Sequence, residues 1–346
     1  MARLWMGLVL LASLRAAERD IVVIDTDSGL FGDDGAAVVM LLRSPAQVTV
    51  EGITIVPGNV WGPQGAEYMF HILDLLKRPQ MAVHLGVEEP LLHTAAMARE
   101  FERRWGALTF TGAFADQPNV VKSGPGFKPT GRKAHGDAVQ YLISEIERHP
   151  GEVTVLAIGP MTNIAMALRL KPEIEGKIKR LVFMGGNIRV PGNASPSAEF
   201  NFWFDPEAAR IVLRSHIAKK IMFGLDICNL APLKKAEFDQ VANARTPITD
   251  LFREDLGNRY PGFLKDPKAV GYMWDSLAAA YLLDPDFVTR SEVRYLDVQT
   301  GWGQFYGSTV PLDRKVAPDA TPVNAMLDLD FKRVFALYKD KLTKME

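Results

Sequence analysis

Ile21-Val22-Val23-Ile24-Asp25-Thr26-Asp27-Ser28-Gly29-Leu30-Phe31-Gly32-Asp33-Asp34 is the stretch from which the fold can be read. Four consecutive apolar, β-branched residues read as a strand buried on both faces. Four carboxylates then fall within ten residues, the last of them opening a helix that the apolar pattern carries from Asp34 to Leu42. Glycines at 29 and 32 permit the sharp turn that folds the later carboxylates back over the earlier ones.

The same alternation continues along the chain. Val48–Val56, Val153–Ile158, Lys179–Met184 and Lys220–Leu225 read as further buried strands. Between them, Gln64–Leu76, Asp137–Arg148, Asn163–Leu170 and Pro206–Ser215 read as helices. Strand and helix in alternation predict an α/β fold, an open, mostly parallel (mixed) sheet with helices on both faces. Ligands of such sheets bind beyond the carboxyl ends of the strands, which is where the polar motifs of this chain fall. Asn243–Ala269, mixing Pro, Gly, Asp and Arg, is expected to hold few helices and to form a surface excursion or lid.

Composition narrows the class. The chain has 346 residues, of which 47% are hydrophobic and 23% charged, enough apolar material for a large core. No linker-like tract divides it, so residues 20–346 are expected to form a single domain. Lys and Arg number 40 against 41 Asp and Glu, which argues against the basic field that a nucleic-acid partner requires. Arg3 followed by the apolar run Leu4–Ala12 and small residues at Ala16 and Ala17 reads as a signal peptide over residues 1–17. It predicts an extracytoplasmic (periplasmic or secreted) enzyme with no membrane attachment after processing. If the leader does not function, the protein stays cytoplasmic. Cys228 is the lone cysteine and has no internal disulfide partner.

Four crowded anions repel unless protons or a cation neutralise them, and an oxygen-binding hard metal is the simplest remedy. A plainer alternative is that Asp33 or Asp34 merely caps the helix N-terminus. A chemical rival is a phosphatase of the haloacid-dehalogenase type, which also carries Asp-x-Asp after its first strand.

Further motifs separate these readings. Val56-Pro57-Gly58-Asn59 follows the second strand, Ile158-Gly159-Pro160-Met161-Thr162-Asn163 a later one, and Met184-Gly185-Gly186-Asn187 another, leading to Gly192-Asn193 and Glu199-Phe200-Asn201. Trp274-Asp275 opens a late helix. In this order, from Ile21 to Leu337, they resemble the inosine-uridine nucleoside hydrolase family. The resemblance implies that family's Rossmann-like fold and hydrolysis of the N-glycosidic bond of ribonucleosides to free base and ribose. It implies Ca2+ as cofactor, a nucleoside as the small-molecule partner, and a homodimer or homotetramer.

Carried over residue by residue, the resemblance makes Asp27 both a metal ligand and the general base on a metal-bound water. Asp34, Asp275 and the backbone carbonyl of Ile158 complete the implied metal set, and Asp25 is a supporting carboxylate. Asp33, Asn59, Asn193, Glu199 and Asn201 match the ribose-binding residues. Two features depart from the family pattern. Two extra residues lie between the first glycine and the Asp33-Asp34 pair, and Trp274 stands where pyrimidine-tolerant members carry a histidine acid. An indole has no usable proton at neutral pH. Trp274 is therefore a base-stacking candidate that points to purine nucleosides, with Trp61, Trp105 or Trp203 as a second face. A calcium- and ribose-binding protein without turnover, and a hydrolase of some other N-ribosyl compound, remain the competing functions.

Overall fold

The computed structural model describes residues 19–118, 120–124, 127–258 and 262–345. The leader pattern at residues 1–17 lies outside them. Among the described residues there are eleven strands: β1 (Asp20–Thr26), β2 (Val48–Ile55), β3 (Val83–Leu85), β4 (Val153–Ala157), β5 (Arg180–Met184), β6 (Lys220–Phe223), β7 (Pro232–Leu233), β8 (Gly271–Tyr272), β9 (Val288–Val298), β10 (Thr309–Pro311) and β11 (Pro322–Leu329). The helices are α1 (Gly32–Leu42), α2 (Gly62–Leu75), α3 (Ala95–Trp105), α4 (Ala138–Arg148), α5 (Thr162–Leu170), α6 (Phe200–Phe204), α7 (Pro206–Arg214), α8 (Leu225–Cys228), α9 (Lys235–Ala242), α10 (Pro247–Asn258), α11 (Trp274–Leu283) and α12 (Phe331–Thr343).

Nine strands form one sheet in the order β10-β9-β11-β6-β5-β4-β1-β2-β3. Pairing is parallel from β11 through β3 and antiparallel where β9 joins β11 and β10, so the sheet is mixed and mostly parallel, as the alternation predicts. Burial on both faces explains the unbroken apolar run of β1. Val22 and Ile24 pack into the core beneath α1, α2, α11 and α12, while Val23 packs into the opposite core with α4, α5 and α7. Beyond β1 the chain builds outward through β2 and β3, then crosses to β4 on the other side. This reversal opens a crevice at the carboxyl ends of β1 and β4. Among the described residues, no helix is long and apolar enough to cross a membrane.

Asn243–Ala269 differs from expectation, because α10 occupies much of it. Thr246 and Thr249 exchange backbone and side-chain hydrogen bonds ahead of the first turn, with Pro247 opening the helix. Ile248, Leu251, Phe252 and Asp255 then make a narrow buried stripe. The charged residues between them hide that stripe from a reading of average composition. Strands β9 to β11 were likewise not anticipated: the first half of β9 is largely exposed or half-buried and interspersed with Arg290, Glu292 and Arg294, so it lacks a continuous apolar run.

A third apolar cluster is built from Trp61, Phe101, Phe114, Phe200, Trp203 and Phe204, and reaches the crevice through Phe200. His93 is embedded beside it, 1% exposed, with its ring against Trp203 and Phe114 and its Nδ1 3.0 Å from the Trp203 carbonyl. Burial holds this imidazole down at about 4, from an ordinary 6.5. The unfolded chain therefore takes up a proton at His93 before the folded one does. Its contribution to stability is whole above pH 6.5 and is lost as pH falls through 4, a change on the order of 3 kcal/mol. Urea unfolding of the parent and of His93→Asn, at about pH 7 and about pH 4.5, should show the parent losing about 2 kcal/mol more than the variant on acidification. Equal losses would mean that His93 is not held neutral by its surroundings.

Candidate active site

The crevice is a cavity of about 440 Å3 whose lining includes Asp27, Asp33, Asn59, Ile158, Asn193, Glu199, Asn201, Trp274 and Asp275. That volume is in the range of small-molecule sites. Residues named from distant parts of the sequence thus converge on one space. Asp25 and Asp34 do not line it; both are fully buried behind its floor.

Each side chain is placed by a strand end or a helix start. Asp25 is opposite Thr54 of β2 and Ala157 of β4. Its carboxylate accepts hydrogen bonds from Thr54 Oγ1 (2.5 Å) and Asn163 Nδ2 (2.8 Å). Burial still pushes it up to about 7, because two neutral donors do not replace lost hydration. Asp25 therefore fastens β1, β2 and the start of α5 beneath the cavity. Asp27, just past the end of β1, accepts the Asn59 backbone N–H at 2.7 Å. Main chain crowds it on two sides. A Cβ at Gly58 would overlap its carboxylate, and one at Gly159 would come within 2.8 Å of its backbone nitrogen. Glycine at 58 is thus a requirement of close approach.

Asp34 accepts a very short hydrogen bond from Thr26 Oγ1 and another, of 3.0 Å, from Asn59 Nδ2. Oxygens of Asp33, Asp34 and Asp275 lie within 4.8 Å of one another. At that separation, and with an effective dielectric near 20, each ionised pair repels by roughly 3–4 kcal/mol. Three such pairs approach the whole stability of an ordinary domain, about 5–15 kcal/mol. Burial, and then the neighbouring Asp34 and Asp33 charges, raise Asp27 well above the usual carboxylate range; burial followed by Asp33, Asp34 and Asp27 does the same to Asp275. All the donors are hard oxygens, the chemistry that suits a divalent cation such as calcium. The residues fit a metal, and Asp33 belongs to its cluster as closely as Asp34 and Asp275 do.

The remaining polar lining is held in place by hydrogen bonds. Glu199 caps α6, receiving the backbone N–H of Gly186 at 2.7 Å, of Asn201 at 2.9 Å and of Phe202 at 3.1 Å. Its burial outweighs these donors, so its proton affinity is raised. Asn193 Oδ1 accepts from the Phe200 backbone, and Asn201 Nδ2 donates to the Met184 carbonyl. The other amide atom of each has no recorded partner among the described residues and can serve a ligand.

The aromatic lining corrects one expectation. Trp61 donates its indole N–H to the Asp116 carbonyl, Trp203 is wholly buried beneath His93, and Trp105 packs on Phe101 and Trp302. None of the three lines the cavity. The aromatic faces that do so besides Trp274 are Phe110 and Phe200, in contact at 4.7 Å between centroids. Phe200 stands between Glu199 and Asn201, so its place in that motif could have identified it. Phe110 has no sequence signal; it is carried by a segment pinned by the Thr109 N–H to the Ala194 carbonyl and the Ala113 N–H to the Gly58 carbonyl. His135 is exposed outside the cavity lining, and Asp137 caps α4 through the Gln140 N–H. Asp226 receives the Ile188 and Arg189 N–H groups and steadies the loop after β5.

Residues 22–336 match the family model described as inosine-uridine preferring nucleoside hydrolase. The pyrimidine-specific ribonucleoside hydrolase RihB of Escherichia coli (strain SE11) is 31% identical over 318 residues, covering 91% of this chain and 95% of that one. A plant nucleoside hydrolase, PpNRh1, superposes with a TM-score of 0.75 at 25% identity, over 95% of this chain and all of the other. The purine-preferring ribonucleoside hydrolase from Gardnerella vaginalis gives a TM-score of 0.76 at 24% identity, over 93% and 98% of the two chains, a likeness of fold.

The repulsion argument has a direct test. Asp275→Asn removes one anion from the cluster, so in chelator the variant should melt higher than the parent, by roughly 2 °C for each kcal/mol relieved. Adding calcium should raise the melting temperature of the parent and leave the variant almost unmoved. A variant that melts lower in chelator would overturn the claim that the metal-free cluster is under electrostatic strain.

Proposed function

Because the chain belongs to the inosine-uridine preferring nucleoside hydrolase family and is thereby an N-ribohydrolase, we propose that it hydrolyses purine ribonucleosides to free base and ribose with calcium as cofactor. The observation that carries this reading is the lining of one cavity, which brings together the carboxylates Asp27, Asp33, Glu199 and Asp275, the amides Asn59, Asn193 and Asn201, and the aromatic residues Phe110, Phe200 and Trp274. These three kinds of group suit the reacting water, the ribose and the base.

Asp27, Asp34, Asp275 and the Ile158 carbonyl would hold the cation, with Asp33 beside them. When bound, the cation supplies the positive charge that lets the cluster ionise, and lowers the pKa of water. Asp27 removes the proton from the attacking water; its buried position and the single Asn59 N–H at 2.7 Å keep it a good proton acceptor. Asp33, Asn59, Asn193, Glu199 and Asn201 hold the ribose hydroxyls. As the glycosidic bond breaks the sugar gains oxocarbenium character, which nearby carboxylates stabilise.

Purine preference rests on Trp274. Its indole faces the cavity along with Phe110 and Phe200, and it offers stacking area in place of an acid for the leaving base. Relatives of about 30% identity are named pyrimidine-specific, so the base profile is what tests this assignment.

Base release should be measured on inosine, guanosine, adenosine, uridine, cytidine and 2′-deoxyinosine, with calcium and with excess chelator. The expected order places the purine ribonucleosides at least tenfold above the pyrimidines in kcat/KM, with 2′-deoxyinosine about a hundredfold below inosine. Asp27→Asn should lower kcat by about 10²–10⁴-fold, and Trp274→Ala should lower purine turnover far more than pyrimidine turnover. Uridine turnover equal to that of inosine would remove the purine assignment, and undiminished activity in chelator would remove the metal.

A further inference from the structure

Helix α1 presents Asp33 and Asp34 in its first turn, yet it has no N-terminal cap of its own. Phe31 stands at the cap position and supplies no side-chain hydrogen bond. Gly32 follows with φ of +58°, in the left-handed region that glycine tolerates. Two N–H groups at its start are satisfied from far along the chain. Asp255 Oδ2 on α10 accepts the Phe31 N–H at 3.1 Å and the Gly32 N–H at 2.9 Å. One turn earlier on that helix, Phe252 meets the Phe31 ring edge-on at 5.9 Å. Phe31 and Phe252 are both fully buried, and Asp255 is 8% exposed. Phe252 and Asp255 are three residues apart and so share one face of α10. Phe31 lies in the acidic loop between Asp27 and Asp33, so a pair on α10 grips that loop where it enters α1.

We infer that Asp255 and Phe252 are positioning residues that lock the acidic loop and so set Asp33 and Asp34 in register with Asp275. This rests on the reading of the carboxylate cluster as a divalent-cation site. A cap alone is worth about 1 kcal/mol of helix stability. The grip reaches further, because displacing the first turn of α1 displaces two of the three clustered carboxylates. Groups that orient ligands from behind typically change metal affinity 10- to 100-fold when removed.

The geometry also separates hydrogen bonding from charge. A single oxygen receives both N–H groups, so the amide oxygen of Asn can replace it. Asp255→Ala, Asp255→Asn and Phe252→Leu in the full chain should be titrated with calcium chloride by calorimetry, with kcat and KM on inosine measured in parallel. Asp255→Ala should bind calcium 10- to 100-fold more weakly, with unchanged circular dichroism and a fall in kcat at saturating calcium. Asp255→Asn should stay within about threefold of the parent. Phe252→Leu should weaken calcium binding severalfold, and it decides the matter if Asp255→Ala does not fold. Parent-like affinity in Asp255→Ala, or in Phe252→Leu should Asp255→Ala not fold, overturns the inference. So does an Asp255→Asn variant as weak as Asp255→Ala. If the parent itself fails to bind calcium, the cation-site reading falls as well, a result distinct from variants that bind as the parent does.

Discussion

The mutual repulsion of Asp27, Asp33, Asp34 and Asp275 governs how this molecule is put together. Burying like charges so close together is unfavourable by an amount comparable to the net stability of a domain, so the surrounding structure must hold them against that force. Hydrogen-bond donors surround the cluster for this reason. Thr26 and Asn59 donate to Asp34, the Asn59 backbone donates to Asp27, and Thr54 and Asn163 donate to Asp25 one layer down. None of these donors carries a full charge. They orient the carboxylates and leave most of the electrostatic demand unmet, which is what a site requiring a cation should do.

The sheet supplies the stiffness that this arrangement requires. β1 is paired in parallel on both sides and buried on both faces, so Asp25 and Asp27 leave a strand that cannot shift without moving β2 and β4. Main chain crowds Asp27, with Gly58 and Gly159 closing on it. Phe110, Phe200 and Trp274 belong to the lining of the same cavity.

The strands of the parallel region and the cavity residues that follow them were legible in the sequence because both leave local marks. A strand buried on both faces is a continuous apolar run, and a polar motif directly after it lies at the carboxyl edge of the sheet. Trp274 and Asp275 could be placed because they open a helix next to each other. Three things were not legible, each for a physical reason. β9 has one half-exposed face and reads as a charged segment. α10 buries a narrow stripe between charged residues. The Phe110 rim depends on backbone hydrogen bonds to Ala194 and Gly58, and no side-chain pattern encodes them. The three tryptophans proposed for stacking failed for a related reason: size and aromaticity favour the core as strongly as they favour a ligand.

Thr309, near the far end of the chain, is part of the edge hairpin made by β9 and β10, and its hydroxyl oxygen accepts the Asn187 N–H. Asn187 in turn receives the N–H of Glu199, which lines the cavity. Asp275 likewise comes late. During synthesis the acidic loop after β1 is therefore made well before Asp275, which completes its carboxylate cluster, and before Thr309, which braces the loop after β5. A nascent chain has the anions without the geometry. Synthesis through Thr309 is thus built into the assembly of the site, and a fragment released before that point would carry the acidic motif without the pocket that gives it meaning.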